Sequence, residues 1–112
     1  MTNKLLIVWS SQDPEVAKKL ILLYGSVMLE RNYWDEATIM LWGPSAKLLA
    51  EDEELQRRVK IVQETGVRFN ACVVCTDEYG VSKRLQNMDI ELIHTGEILT
   101  NALQSDRKVI TF

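Results

Sequence analysis

Histidine is almost missing from this sequence, and cysteine, proline and glycine are scarce. Among 112 residues there are one His and two Cys. A structural zinc site draws four ligands from Cys, His and carboxylates, so no metal is expected. Two cysteines do not make a disulfide framework of the small secreted kind. Two prolines and five glycines exclude a fibrous or low-complexity chain. There is no basic excess: 13 Lys and Arg stand against 16 Asp and Glu, a formal charge of −3. Nothing in that balance supplies a nucleic-acid surface. The densest basic cluster, Arg57, Arg58 and Lys60, falls inside a helical pattern and reads as a solvated face. Long apolar runs are absent too. The run over residues 5–9 is shorter than the ~7–15-residue core of a signal peptide. It is far short of the ~20 residues that span a bilayer. No membrane partner and no targeting segment are expected. The expected location is cytoplasmic, with Cys72 and Cys75 held as thiols.

What is present is ordinary for a globular chain: 46% hydrophobic and 26% charged residues. The length predicts a single domain over residues 1–112. Its elements alternate. Residues 5–9 form a continuous apolar run, which predicts a strand buried on both faces. Asp13-Pro14 opens a helix, with Asp as the cap and Pro at the first helical position. That helix is predicted to reach about Arg31, with Asn32 ending it in the left-handed conformation. Residues 37–42 give a second strand, stopped by Gly43-Pro44-Ser45. A short helix to about Ala50 follows, then a second one capped by Asp52. Leu55, Val59 and Val62 form its apolar face, and Gly66 ends it. A third strand over residues 67–72 passes into a helical turn closing at Gly80. Residues 82–87 form a short turn or helix, and residues 90–93 a fourth strand. Thr95 is predicted to cap a helix to about Gln104, and residues 108–112 to form a fifth strand. This alternation implies parallel pairing with right-handed crossovers. The predicted fold is α/β: a three-layer α/β/α sandwich on a mainly parallel five-stranded sheet.

Sites in such sheets form at the carboxyl ends of the strands. There the sequence places Ser10 and Ser11, then Trp42, Gly43 and Ser45, then Cys72 with Cys75, then His94, Thr95 and Gly96. Cys72 has the strongest physical case, because free amides and the helix dipole at a strand-to-helix junction favour the thiolate. Cys75, one turn later, is expected to feel less of that field and to have more apolar cover. Cysteine is also commonly a buried small hydrophobe, and Ala71, Val73 and Val74 fit that reading equally. His94 is a candidate proton carrier, or simply a surface residue at a strand end. Ser10, Ser11 and Ser45 are candidate anion donors, or ordinary loop residues. Gly43-Pro44-Ser45 lacks the phosphate-loop pattern, so no cofactor is expected. On the first helix, Ala17, Leu20, Ile21, Tyr24, Val27 and Met28 are predicted to face the sheet. Leu22 and Leu29 then form an extra apolar stripe, which predicts self-association.

These residues resemble a known family. Lys4-Leu5-Leu6-Ile7-Val8-Trp9-Ser10-Ser11 with Asp13-Pro14-Glu15 looks like the opening of DsrE/DsrF-like (YchN-like) proteins. The segment 66–75, ending Ala71-Cys72-Val73-Val74-Cys75, with Tyr79-Gly80-Val81, is similar to their cysteine region. Glu91-Leu92-Ile93, Thr95-Gly96-Glu97 and the closing strand match in style. The resemblance implies a compact α/β/α domain assembled as a homo-oligomer, a trimer or hexamer. It implies a sulfur-relay role, with persulfide carried on the strand-end cysteine, here Cys72, between donor and acceptor proteins. Cys75 matches a cysteine found in only some members. The expected function is thus a persulfide carrier or sulfurtransferase. The alternatives are a non-catalytic oligomeric scaffold or small-ligand binder, and a CxxC dithiol redox module.

Overall fold

A computed structural model describes residues 2–112. The apolar runs become its inner strands. β1 (Lys4–Trp9) and β2 (Glu36–Leu41) each begin with an exposed residue and continue with five buried ones. β3 (Arg68–Cys72), β4 (Glu91–Ile93) and β5 (Lys108–Thr111) complete the sheet. The strand order is β4-β3-β2-β1-β5, and every ladder is parallel. The chain therefore starts near the middle, steps outward to β4, and then crosses the whole sheet to β5.

That path explains why the two sheet faces differ. Right-handed crossovers put the helices of outward steps on one face and the helix of the return step on the other. The alternating strand residues Ile7, Trp9, Ile39, Leu41, Phe69 and Ala71 belong to the large core cluster. Their neighbours Leu6, Val8 and Met40 form a small one with Ala102. The large cluster is covered by α1 (Pro14–Val16), a π-helical turn (Ala17–Ile21) and α2 (Leu22–Val27), which form one continuous helix. It is also covered by α3 (Pro44–Glu51), α4 (Glu53–Glu64) and α6 (Ser82–Gln86). The small cluster receives its helical residues from α7 (Thr95–Leu103) alone. Between β3 and α6 lies α5 (Val73–Tyr79).

The two carboxylate caps form where the sequence puts them. The Asp13 carboxylate accepts from the Glu15 amide at 2.8 Å, and the Asp52 carboxylate from the Leu55 amide at 3.0 Å. Leu55, Val59 and Val62 are all buried. Gly80 ends α5 at φ 69°, and Asn32 takes φ 58°.

The first helix departs from expectation. It ends at Val27 rather than near Arg31, and residues 28–33 continue as turns and a bend. The π turn takes an extra residue into the helix and rotates the residues after it about the helix axis. Ala17, Ile21, Leu22, Gly25 and Met28 now face the core, while Leu20 is 42% exposed. Leu22 is buried and Leu29 packs against the same core. The stripe that suggested self-association is therefore part of this chain's own interior. Among the described residues, no helix is long and apolar enough to cross a membrane.

Candidate functional site

The expected edge of thiols, histidine and hydroxyls is sorted by strand order. β3 lies between β2 and β4, so the segments beyond these three strands bring Gly43, Cys72 and Thr95 together. Cys72 is the last residue of β3 and the cap of α5, with extended φ −65° and ψ 114°. Its Sγ accepts a hydrogen bond from the Cys75 amide at 3.4 Å. The sulfur thus does what a Ser or Asp oxygen does at most helix starts.

Burial by itself would raise the Cys72 thiol pKa. The Cys75 thiol and amide, the Thr95 hydroxyl and the Val74 amide outweigh it by hydrogen bonding to the sulfur, and hold Cys72 below its ordinary 9.0. Cys75 moves the other way. Burial and its hydrogen bond to Cys72 raise it above 9.0, against an opposing hydrogen bond from the Gly43 amide. The charges of Cys72 and Glu78 add to the rise. The first proton lost by the pair therefore comes from Cys72. Gly43 adopts φ 76° and ψ −138°, a conformation that L side chains rarely take.

Exposure reverses one expectation. Cys72 is only 6% exposed, whereas Cys75 is half-buried. The later cysteine has the less cover because it lies on the helix, while Cys72 closes a buried strand.

The other candidates stand apart from the thiols. His94 is exposed and caps α7 without a side-chain hydrogen bond. Its neighbour Thr95, predicted as the cap, is instead the first helical residue and 2% exposed. The Ser10 amide and hydroxyl both donate to the Phe112 carbonyl, at 2.7 and 3.0 Å. Ser11 binds the same carbonyl through its amide at 3.2 Å, and its hydroxyl accepts from the Asp13 amide at 3.1 Å. Both serines tie down the last strand, and β1 is two strands from β3, about 10 Å away. Ser45 is fully buried. Its hydroxyl donates to the Trp9 carbonyl and accepts from the Trp42 amide at 3.2 Å, so it joins β1 to β2. Reasoning from the sequence missed Thr95 and Gly43 as contacts of the thiols. Each lies just past a strand that neighbours β3, a signal that needs the strand order to be read.

The Thr95 contact is testable. Thr95→Val should raise the pH at which Cys72 ionises and leave the fold intact, because Val keeps the shape and removes the donor. Thiolate absorbance followed through a pH titration would show it; an unmoved Cys72 transition would dismiss the contact.

A family comparison bears directly on this arrangement. The model of the DsrE/DsrF-like family matches residues 8–112. The chain belongs to that family. Its fold is shared by solved structures. A conserved protein of unknown function, BT1422 from Bacteroides thetaiotaomicron, superposes with a TM-score of 0.94 at 27% identity, over 98% of this chain and 95% of the other. The ychN protein from E. coli gives 0.70 at 19% identity, over 98% and 99%. A protein of unknown function, MTH1491 from Methanobacterium thermoautotrophicum, gives 0.71 at 17%, over the same shares of 98% and 99%. No curated protein matches the chain. The DsrE-like assignment places Cys72 and Cys75 inside the matched segment.

Proposed function

We propose that this DsrE-like protein carries sulfur as a persulfide on Cys72, receiving it from one protein and passing it to another. The observation that carries the reading is the hydrogen-bonded cap. The Cys72 sulfur accepts from the Cys75 amide at 3.4 Å, and its pKa is lowered despite its burial. A thiolate is the form that attacks a disulfide-type sulfur.

In the loading step, the Cys72 thiolate attacks the outer sulfur of a donor persulfide. The donor S–S bond breaks, and the donor leaves as a thiolate that takes up a proton. Cys72 then holds the outer sulfur. In the unloading step an acceptor thiolate attacks that outer sulfur and Cys72 leaves as the stabilised thiolate. No net oxidation occurs in either step. The amides that stabilise the thiolate make Cys72 a good leaving group as well as an available nucleophile. Free thiols suit a reducing compartment, the cytoplasm. Family resemblance suggests a homo-oligomeric assembly, with donor and acceptor proteins as transient partners.

The competing reading is an inert core thiol, favoured by the 6% exposure of Cys72. Intact mass spectrometry separates the two. After incubation with a cysteine desulfurase and cysteine, the wild type should gain the mass of one sulfur atom. Cys75→Ser should gain it too, and Cys72→Ser should not. A wild type that gains nothing, or a Cys72→Ser protein that gains as much, rejects the carrier reading and favours the scaffold.

A further inference from the structure

We propose that Cys75 is a resolving thiol that attacks the inner sulfur of a Cys72 persulfide, expelling hydrosulfide and closing a Cys72–Cys75 disulfide. This rests on the carrier reading above and assigns the second cysteine a role of its own. The two thiols are free and adjacent. Cys75 follows Cys72 by three residues in the first turn of α5, and its amide already binds the Cys72 Sγ at 3.4 Å. That spacing in a helical turn sets the Cα atoms about 5 Å apart. A disulfide takes Cα separations of about 4.4–6.8 Å, so closure needs only side-chain rotation.

The inner sulfur is the target for a geometric reason. Cys75 touches the Sγ that becomes the inner sulfur once Cys72 is loaded. With that side of Sγ occupied, the outer sulfur points away from Cys75. Displacement at sulfur is in line, so the attacking and leaving sulfurs stand on opposite sides of Sγ. The arrangement therefore favours expulsion of the outer sulfur over its transfer to Cys75. The Gly43 amide acts on the Cys75 sulfur to favour its charged form, and so stabilises the charge that develops as its proton leaves.

The step balances. Cys72–S–SH and Cys75–SH give the Cys72–Cys75 disulfide and hydrogen sulfide. The Cys75 sulfur is oxidised from the thiol to the disulfide level, the outer sulfur is reduced from persulfide to sulfide, and the Cys72 sulfur stays at the same level, with no outside oxidant. A dithiol reductant is then required to restore the thiols. An acceptor thiol that reaches the outer sulfur first diverts it from this route. Cys75 thereby sets a time limit on the stored sulfur.

The test is anaerobic, so that the persulfide is the sole oxidant. Wild type is loaded with a persulfide donor, freed of excess, and followed by intact mass and a sulfide probe. The loaded mass should give way to a species two hydrogens lighter than the dithiol, with one sulfide released per chain. Cys75→Ser should keep its sulfur at least about tenfold longer and form no disulfide, because the intramolecular thiol is gone. Cys75→Ala should behave alike, which separates the thiol from any effect of serine. Equal lifetimes in wild type and Cys75→Ser, or the extra sulfur found on Cys75 itself, would overturn the resolving role while leaving Cys72 a carrier. If Cys72 takes no sulfur in any of the proteins, the carrier reading fails and the resolving role falls with it.

Discussion

Cys72 should react with iodoacetamide at a lower pH than Cys75, and its share of the label should fall as the pH rises. Two opposing effects set this result. Ionisation favours Cys72, whose thiol lies below its usual range because four donors outweigh its burial. Access favours Cys75, which is half-buried while Cys72 is 6% exposed. At low pH the thiolate fraction decides, since only the thiolate attacks. At high pH both are ionised and access decides. Cys72 also loses nucleophilicity as its pKa falls, which narrows its lead further near the alkaline end. The two midpoints belong to the pair, because a charge on Cys72 raises Cys75. Cys75→Ala should therefore shift the Cys72 midpoint upward by removing the thiol donor. Peptide mass spectrometry of label at each site across a pH series reads all of this. Coincident midpoints, or Cys75 titrating first, would remove the physical basis for a reactive Cys72.

The same shifts act on stability with opposite signs. The Cys72 pKa is depressed in the fold, so its contribution is present above the unfolded thiol pKa and is lost as pH falls through the folded value. Cys75 is raised, so its contribution is present below that unfolded value and is lost as pH rises through the folded one. In the wild type the two trends oppose each other.

What the sequence made legible was local chemistry. Asp13 and Asp52 cap because a carboxylate two or three residues before a free amide has one obvious partner. Gly80 ends α5, and Asn32 takes the left-handed conformation although the helix stops earlier, at Val27, because few residues tolerate positive φ. Cys72 at the end of a strand followed from the apolar run and the stop after it. What stayed hidden depended on distant contacts. The π turn in the first helix goes with its packing: a Cβ on Gly25 would lie 3.2 Å from Ile39 and 3.3 Å from Val62. No pattern within residues 14–27 carries that information, so the predicted apolar face was rotated and Leu22 was assigned to the surface. Strand order was hidden for the same reason. Without it His94 and Thr95 are equivalent candidates. With β4 beside β3, the residue that turns inward is the threonine and the one that stays in solvent is the histidine. The exposure of the thiols follows too, because β3 is an interior strand and α5 lies at the surface.

Trp9→Ala should be the most damaging single substitution for stability and one of the least damaging for chemistry. Trp9 is fully buried at the carboxyl end of β1. Its indole N–H donates to the Ser11 carbonyl at 3.1 Å, and its own carbonyl accepts from the Trp42 amide at 3.0 Å and from the Ser45 hydroxyl. Alanine keeps those backbone bonds and removes the ring. The cavity and lost burial cost about 3–5 kcal/mol, out of a total stability on the order of 5–15 kcal/mol. For a domain of this size that lowers Tm by on the order of 15 °C. Trp9→Phe refills most of the space and should lose less. The thiol site should nevertheless persist in the folded fraction. The bond from the Cys75 amide to the Cys72 sulfur is internal to the start of α5. It does not pass through β1. Persulfide loading of Trp9→Ala, measured well below its Tm, should therefore stay close to wild type, while the melting curve moves far to the left. Thermal unfolding and loading measured on one sample decide the matter. A small Tm change would mean that the core at this end of β1 relaxes around the missing ring. Loss of loading in a protein that is still folded would mean that the site depends on the β1 end through the turn at Gly43.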